Sequence, residues 1–451
     1  VTPYEQFLAT KQKSVAAVGP IVEPDQINPM LHEWQRAIVE WAVRRGRAAL
    51  FEDCGLGKTF QQVEWARLVA SRSLIAAPLS VARQTVREAA KLGVAVNYVR
   101  DPGEVDGDGV WITNYEMLSR FDLSTFGAFV ADESSILKAV DGKTRQTITT
   151  SAQRVPYRLA CTATPAPNDV SELCNHAEFL GHMPRNEMLA AYFVHDEIGW
   201  RPKGHASVPM YRWMAGWACA LRRPSDVGYS DDGYDLPGLE VIPEVVDASI
   251  ESPGQLFATE LGGVGGRAKA RRATMSARLD RAGELASDDD QWIIWCGLND
   301  EAEAITRAVD GAVNVEGSWS PDAKADALEG FQDGRIRVLV TKPTIAGFGM
   351  NFQNCARQIF LGIGDSYEQY YQAIRRSYRF GQTRTVRAHV VVSPIEQQIV
   401  QNIQRKEADH LRTADLLTQF NPIRKQNSND LTLDHASHRT PRRMLASTRV
   451  R

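Results

Sequence analysis

Cysteine is scarce in this chain: six in 451 residues, at 54, 161, 174, 219, 296 and 355, with no C-x-x-C pair and no histidine at zinc-finger spacing. That pattern excludes a disulfide-stapled scaffold and a zinc ribbon, and it reads as core thiols in a reducing compartment. Long apolar runs are missing too. No stretch reaches the ~18 residues a membrane span needs, and residues 1–20 carry too many polar side chains for a secretory signal. The expectation is therefore a soluble intracellular protein without a membrane partner, cytoplasmic in a bacterial or phage-infected cell, with a nucleus as the alternative. An excess of positive charge is also absent. At a net charge of −3, any nucleic acid has to be held by local contacts rather than by a global field. Hydrophobic residues at 43% and charged residues at 24% match ordinary soluble domains, which excludes disordered and fibrous classes. The length exceeds what one core usually organises, so two or three domains are expected.

What the chain does contain is centred on Glu52-Asp53-Cys54-Gly55-Leu56-Gly57-Lys58-Thr59, which follows the apolar run Ala48-Ala49-Leu50-Phe51 and opens a helix-like segment. Gly55 and Gly57 allow a tight turn that aims backbone N–H groups, Leu56 among them, at one point where a helix start adds partial positive charge. A triphosphate suits that point, with Lys58 on the β- and γ-phosphates and the Thr59 hydroxyl on Mg²⁺. The usual pattern has glycine at the position of Glu52. Upstream, Leu31, Trp34, Ile38 and Trp41 have helical spacing, and Gln35 lies just over twenty residues before Lys58. A side-chain amide both donates and accepts, so Gln35 could read the edge of adenine.

After the loop, short apolar runs at 74–77, 110–115, 126–131 and 157–161 alternate with helix-like segments. This predicts an α/β fold with a parallel sheet covered on both faces, whose ligands gather at the carboxyl ends of the strands. Asp132 and Glu133 close the third run. Two adjacent acids there call for a cation, with Asp132 holding Mg²⁺ and Glu133 deprotonating the attacking water.

In sum these segments resemble the superfamily 2 helicase-type ATPases, and more narrowly the SWI/SNF-related DNA translocases, over about residues 30–405. Residues 31–35 resemble the adenine-reading Q motif, 53–59 motif I, 78–81 motif Ia, 112–116 motif Ib and 132–135 motif II. Residues 162–169 with Glu172-Leu173 resemble motif III and its extension, and Leu221-Arg222-Arg223 with Leu236-Pro237 resembles the passage into the second lobe. Residues 347–352, with Gly349, resemble motif V. Residues 372–382 resemble motif VI, in which Arg376 and Arg379 are three apart and are expected on one helical face.

The resemblance implies two tandem RecA-like lobes with an ATP cleft between them. It tolerates Glu52, but Ser135 stands where the family usually has histidine or a related residue. Its implied segments are an N-terminal extension (1–24), lobe one (25–240), lobe two (241–420) and a basic tail (421–451) with seven Lys/Arg against two Asp. Another basic stretch, 267–272, follows the glycines at 262–266. The implied activity is Mg-ATP hydrolysis coupled to movement along double-stranded DNA, with Lys58, Asp132, Glu133, Arg376 and Arg379 catalytic. Gln35, Gly55, Leu56, Gly57, Lys58, Thr59 and Gly349 would bind nucleotide. A helicase that unwinds RNA or DNA, and a nucleotide-dependent clamp with little turnover, are the alternatives.

Overall fold

The computed structural model describes residues 15–138, 142–197, 199–246, 274–346, 351–362, 364 and 366–423. Most of the N-terminal extension, both glycines at 347 and 349, the basic stretch 267–272 and nearly all of the basic tail lie outside them. The chain divides into two compact units, one up to Asp232 plus the residues from Lys406, the other from Gly233 to Arg405.

The first unit is built on β1 (Arg47–Glu52), β2 (Arg72–Ala77), β3 (Val96–Tyr98), β4 (Gly109–Asn114), β5 (Ala128–Asp132) and β6 (Tyr157–Cys161). A small antiparallel hairpin of β7 (Phe193–Asp196) and β8 (Gly199–Pro202) precedes β9 (Ala218–Leu221). The large sheet runs β3-β4-β2-β5-β6-β1-β9, with every neighbouring pair parallel. Its central strands are apolar on both faces because helices cover both; Ala48, Ala49 and Leu50 of β1 and Phe129, Val130 and Ala131 of β5 are buried. The helix Glu33–Arg45 stops at Gly46, whose φ of +70° and N–H bond back to the Ala42 carbonyl form a left-handed cap. That cap turns the chain straight into β1.

Register decides where the chemistry lies. Leu50 of β1 and Asp132 of β5 both stand opposite Cys161 of the intervening β6. Two residues past Leu50 the phosphate loop begins, so loop and acids emerge at the same carboxyl edge.

The second unit repeats the plan with β10 (Leu239–Val245), β11 (Trp292–Cys296), β12 (Ala312–Asn314), β13 (Val338–Thr341), β14 (Arg357–Leu361) and β15 (Val386–Val392). The order is β10-β15-β14-β11-β13-β12, again parallel throughout. Two parallel-sheet α/β units, the architecture expected from the sequence, are therefore present.

The compact units part at 232/233, and residues 406–423 group with the first. The reason is specific bonding on the rim of β9. Asp415 pairs with Arg222 at 2.6 Å, Asn421 donates to the Ala220 carbonyl at 2.8 Å, and Leu417 enters the first core.

The first unit also buries two histidines, His176 and His182. Burial lowers both rings to a pKa of about 4; at His182 the cations of Arg47 and Arg158 add to the effect. An unfolded chain takes up those protons near pH 6.5, whereas the fold refuses them until about 4. Stability therefore rises with pH across that window, by about 3 kcal/mol per ring. The carboxyls of Glu52, Asp132 and Glu172, which burial raises, act in the opposite sense, so parent and variant must be compared. On acidification from pH 6.5 to 4, denaturant unfolding should show the parent losing about 3 kcal/mol more than His182→Gln. Parallel losses in the two proteins would place a charged imidazole in the fold.

Candidate active site

The loop after β1 has the conformation its glycines permit: Gly55 at φ +91° and Gly57 at φ +76°, the latter capping the helix Lys58–Val69. Among the described residues, no hydrogen bond takes up the N–H groups of Gly55, Leu56, Gly57, Lys58 or Thr59. Five donors at a helix start with nothing in the fold to accept them form an anion cradle. The Lys58 ammonium folds back to donate to the carbonyls of Glu52 at 2.6 Å and Asp53 at 3.0 Å. A bound phosphate oxygen would compete with those carbonyls for it.

Gln35 is placed against this loop, but its amide is engaged with backbone. Its oxygen accepts from the His32 N–H at 3.0 Å and its nitrogen donates to the Leu56 carbonyl at 2.9 Å, with the side chain 3% exposed. A Cβ at Gly57 would come within 2.5 Å of that nitrogen and displace the amide, and the φ of +76° itself favours glycine there. Gln35 therefore fastens the cradle.

Glu52, at the position where the motif usually has glycine, is fully buried. One of its carboxylate oxygens accepts from Gln61 at 2.8 Å, while the other has no hydrogen-bond partner among the described residues. Burial raises it to a pKa of about 7, against the pull of the Lys58 cation and the Gln61 bond.

The acids arrive from β5. Asp132 accepts from Gln62 at 2.8 Å through Oδ2 and from the Glu133 N–H at 3.0 Å through Oδ1, and Tyr115 donates to its backbone carbonyl at 2.6 Å. Gln62 belongs to the helix that Lys58 starts, so a single side chain sets the spacing between cradle and acid. Burial pushes the Asp132 carboxyl above its ordinary range. Glu133 has φ +52° and is the sole non-glycine residue with positive φ among those described. Such a conformation costs roughly 1–3 kcal/mol and persists only where the surroundings impose it. Here the turn Ser134–Lys138 wraps back on the Glu133 carbonyl, which accepts from the Ile136 N–H at 3.2 Å and from the Ser135 hydroxyl at 3.4 Å.

The donor set fits the groups expected here. The unclaimed N–H groups and Lys58 suit phosphates, and the carboxylate and hydroxyl oxygens of Asp132 and Thr59 suit a hard divalent cation such as Mg²⁺. Lys58, Thr59, Asp132 and Glu133 are brought to one sheet edge. Three positions beyond the expected set support them: Gln61, Gln62 and Tyr115. The first two had a signal in the sequence, since polar side chains one turn after Lys58 fall on a helix that is buried on almost every face.

In the second unit, the helix Tyr367–Ser377 carries Arg376, which is 6% exposed. Arg379 is not on that helix, so the expectation of one helical face is corrected. Tyr378 ends the helix, and Gly381 at φ +89° turns the chain away. The turn is stapled by Gln382, whose amide nitrogen donates to the carbonyls of Gln353, Cys355 and Ser377. The Arg379 guanidinium donates to Asn351, at the end of the motif V segment. Gly349 lies outside the described residues.

No curated protein matches the chain. A solved structure described as the Sulfolobus solfataricus SWI2/SNF2 ATPase core in complex with double-stranded DNA aligns with 89% of this chain and 96% of its own, at 20% identity and a TM-score of 0.43. Residues 277–381 match the family model of the helicase conserved C-terminal domain, a span that includes both arginines. The helicase C-terminal domain match thus falls in the second unit, and both units are built on parallel sheets.

Proposed function

We propose that the chain is a nucleic-acid-dependent ATPase of the SWI/SNF-related kind, coupling hydrolysis of Mg-ATP to movement along double-stranded DNA without reading its sequence. The observation that carries this reading is the joining of cradle and acid: five unclaimed N–H donors and Lys58 at one strand end, with Asp132 tied by Gln62 to the helix they begin. Phosphate binding alone would not call for a buried Asp132 with Glu133 next to it.

In this reading the loop N–H groups and Lys58 hold the phosphates, while Thr59 and Asp132 hold Mg²⁺, which when bound neutralises charge on the phosphates. Glu133 takes the proton of the attacking water, and Arg376 and Arg379 stabilise the charge that develops on the transferred group. Motifs Ia, Ib and V grip the phosphate backbone, through contacts that position nucleic acid without specifying sequence. RNA remains a competing polymer, which the assay below includes.

Steady-state ATP hydrolysis measured with duplex DNA, single-stranded DNA and RNA tests the proposal. Duplex should stimulate most, and raising salt from about 50 to 200 mM should weaken its binding by roughly 10³-fold or more if six or more phosphates are contacted. Triplex displacement without strand displacement would identify translocation. Equal, unstimulated rates with every polymer would remove the motor and leave a clamp.

A further inference from the structure

The fourth residue of motif II is Ser135 here, where the resembled family usually has histidine or a related residue, yet an imidazole does reach this motif from elsewhere. His176 lies in the helix Leu173–Leu180, which follows the motif III extension. Its Nε2 is 3.1 Å from the hydroxyl of Ser134, and both side chains are fully buried. The same ring meets Phe51 edge-on at 5.1 Å and 84°. Phe51 is the penultimate residue of β1, immediately before Glu52 and the phosphate loop. The preceding residue, Asn175, donates to the Leu137 carbonyl at 2.8 Å, so this helix holds the motif II turn at two places. Its N-terminal neighbour Glu172 accepts from the Asn168 N–H and side-chain amide, at 3.1 and 2.9 Å, which fixes the motif III extension as well.

We propose that His176 is a positioning residue for the proposed ATPase: through Ser134 it holds the turn that keeps Glu133 in its strained conformation, and through Phe51 it ties that turn to the strand feeding the phosphate loop. The inference rests on the reading of Glu133 as the base. A left-handed glutamate needs restraint from outside its own residue, and the bonds just named supply it from the helix after motif III. The ring is neutral at working pH, since burial keeps it uncharged down to about pH 4, so the restraint does not switch off near neutrality.

The test compares parent, His176→Phe, His176→Gln, Ser134→Ala and the double variant His176→Phe with Ser134→Ala. The readouts are kcat, KM, affinity for a fluorescent ATP analogue, and unfolding midpoint. Phenylalanine keeps the ring against Phe51 but cannot bond Ser134; glutamine can bond Ser134 with its amide. We expect His176→Phe and Ser134→Ala each to lower kcat about tenfold with KM and analogue affinity unchanged, the double variant to lose no more than either single one, and His176→Gln to recover most of the rate. Additive losses, or a kcat that falls only in proportion to a loss of folded protein or nucleotide affinity, would overturn the positioning role. So would parent-like turnover in His176→Phe. A parent that hydrolyses no ATP with any nucleic acid would instead overturn the functional reading beneath it.

Discussion

Arg379→Ala is expected to abolish DNA-stimulated hydrolysis, lowering the stimulated rate by about 10³-fold or more while nucleotide affinity stays at the parental value, because a guanidinium on the transferred group is worth 10³–10⁵ in phosphoryl transfer. The structure distinguishes this residue from its neighbour. Arg376 sits inside the helix Tyr367–Ser377, is 6% exposed, and its carbonyl accepts from the Phe352 N–H at 2.8 Å. Its loss removes a packed side chain as well as a charge, so Arg376→Ala should lower the unfolding midpoint. Arg379 is carried on a turn that Gln382 and Gly381 build independently of its side chain. Arg379→Ala gives up the bond to Asn351 but keeps that turn, so it should still fold. Arg379→Lys restores charge but not the planar fork, and it should recover little of the rate. Stimulated turnover in Arg379→Ala within a few-fold of the parent would remove the arginine from the reaction.

The same turn shows what could and could not be read in the sequence. The loop at 52–59 was legible because its signal is local: an apolar strand, two glycines that must take positive φ, then Lys58 and Thr59 at a helix start. Asp132 and Glu133 were legible because acids at the end of a buried strand conflict with their surroundings unless chemistry explains them. Arg379 was misplaced because a spacing of three is compatible with a helix, and Gly381 and Gln382, which stop it, act through backbone conformation and distant carbonyls. Gln35 stands beside the loop as expected, where its amide fastens the Leu56 carbonyl. A helix position preceding the loop is evident in sequence, whereas the choice of the Leu56 carbonyl as partner depends on how the helix packs. His176 gave no signal at all, since a histidine among apolar helix residues reads as core, and its partner is 42 positions away. The docking of residues 406–423 on the first unit was hidden for a related reason. An amphipathic helix announces that one face is buried, but not against which sheet.

Glu133→Gln is expected to bind ATP as the parent does and to turn it over about 10²–10⁴ times more slowly, the usual worth of a positioned general base. Glutamine keeps the shape of the side chain and cannot accept the water's proton. Because Glu133 holds φ +52°, a second substitution separates the chemistry from the strain. Glycine adopts that φ without the ~1–3 kcal/mol that a side chain costs there, at the expense of a more flexible unfolded chain. Glu133→Gly should thus be as inactive as Glu133→Gln yet unfold at the same or higher denaturant concentration than the parent. Glu133→Gln, which keeps the strain, should unfold with the parent. If both variants lost turnover and Glu133→Gly were also clearly less stable, the conformation at 133 would be relaxed rather than imposed. Hydrolysis at the parental rate in Glu133→Gln would transfer the base to another group, and the fully buried Glu52 carboxyl, with one oxygen unclaimed, would be the next to replace.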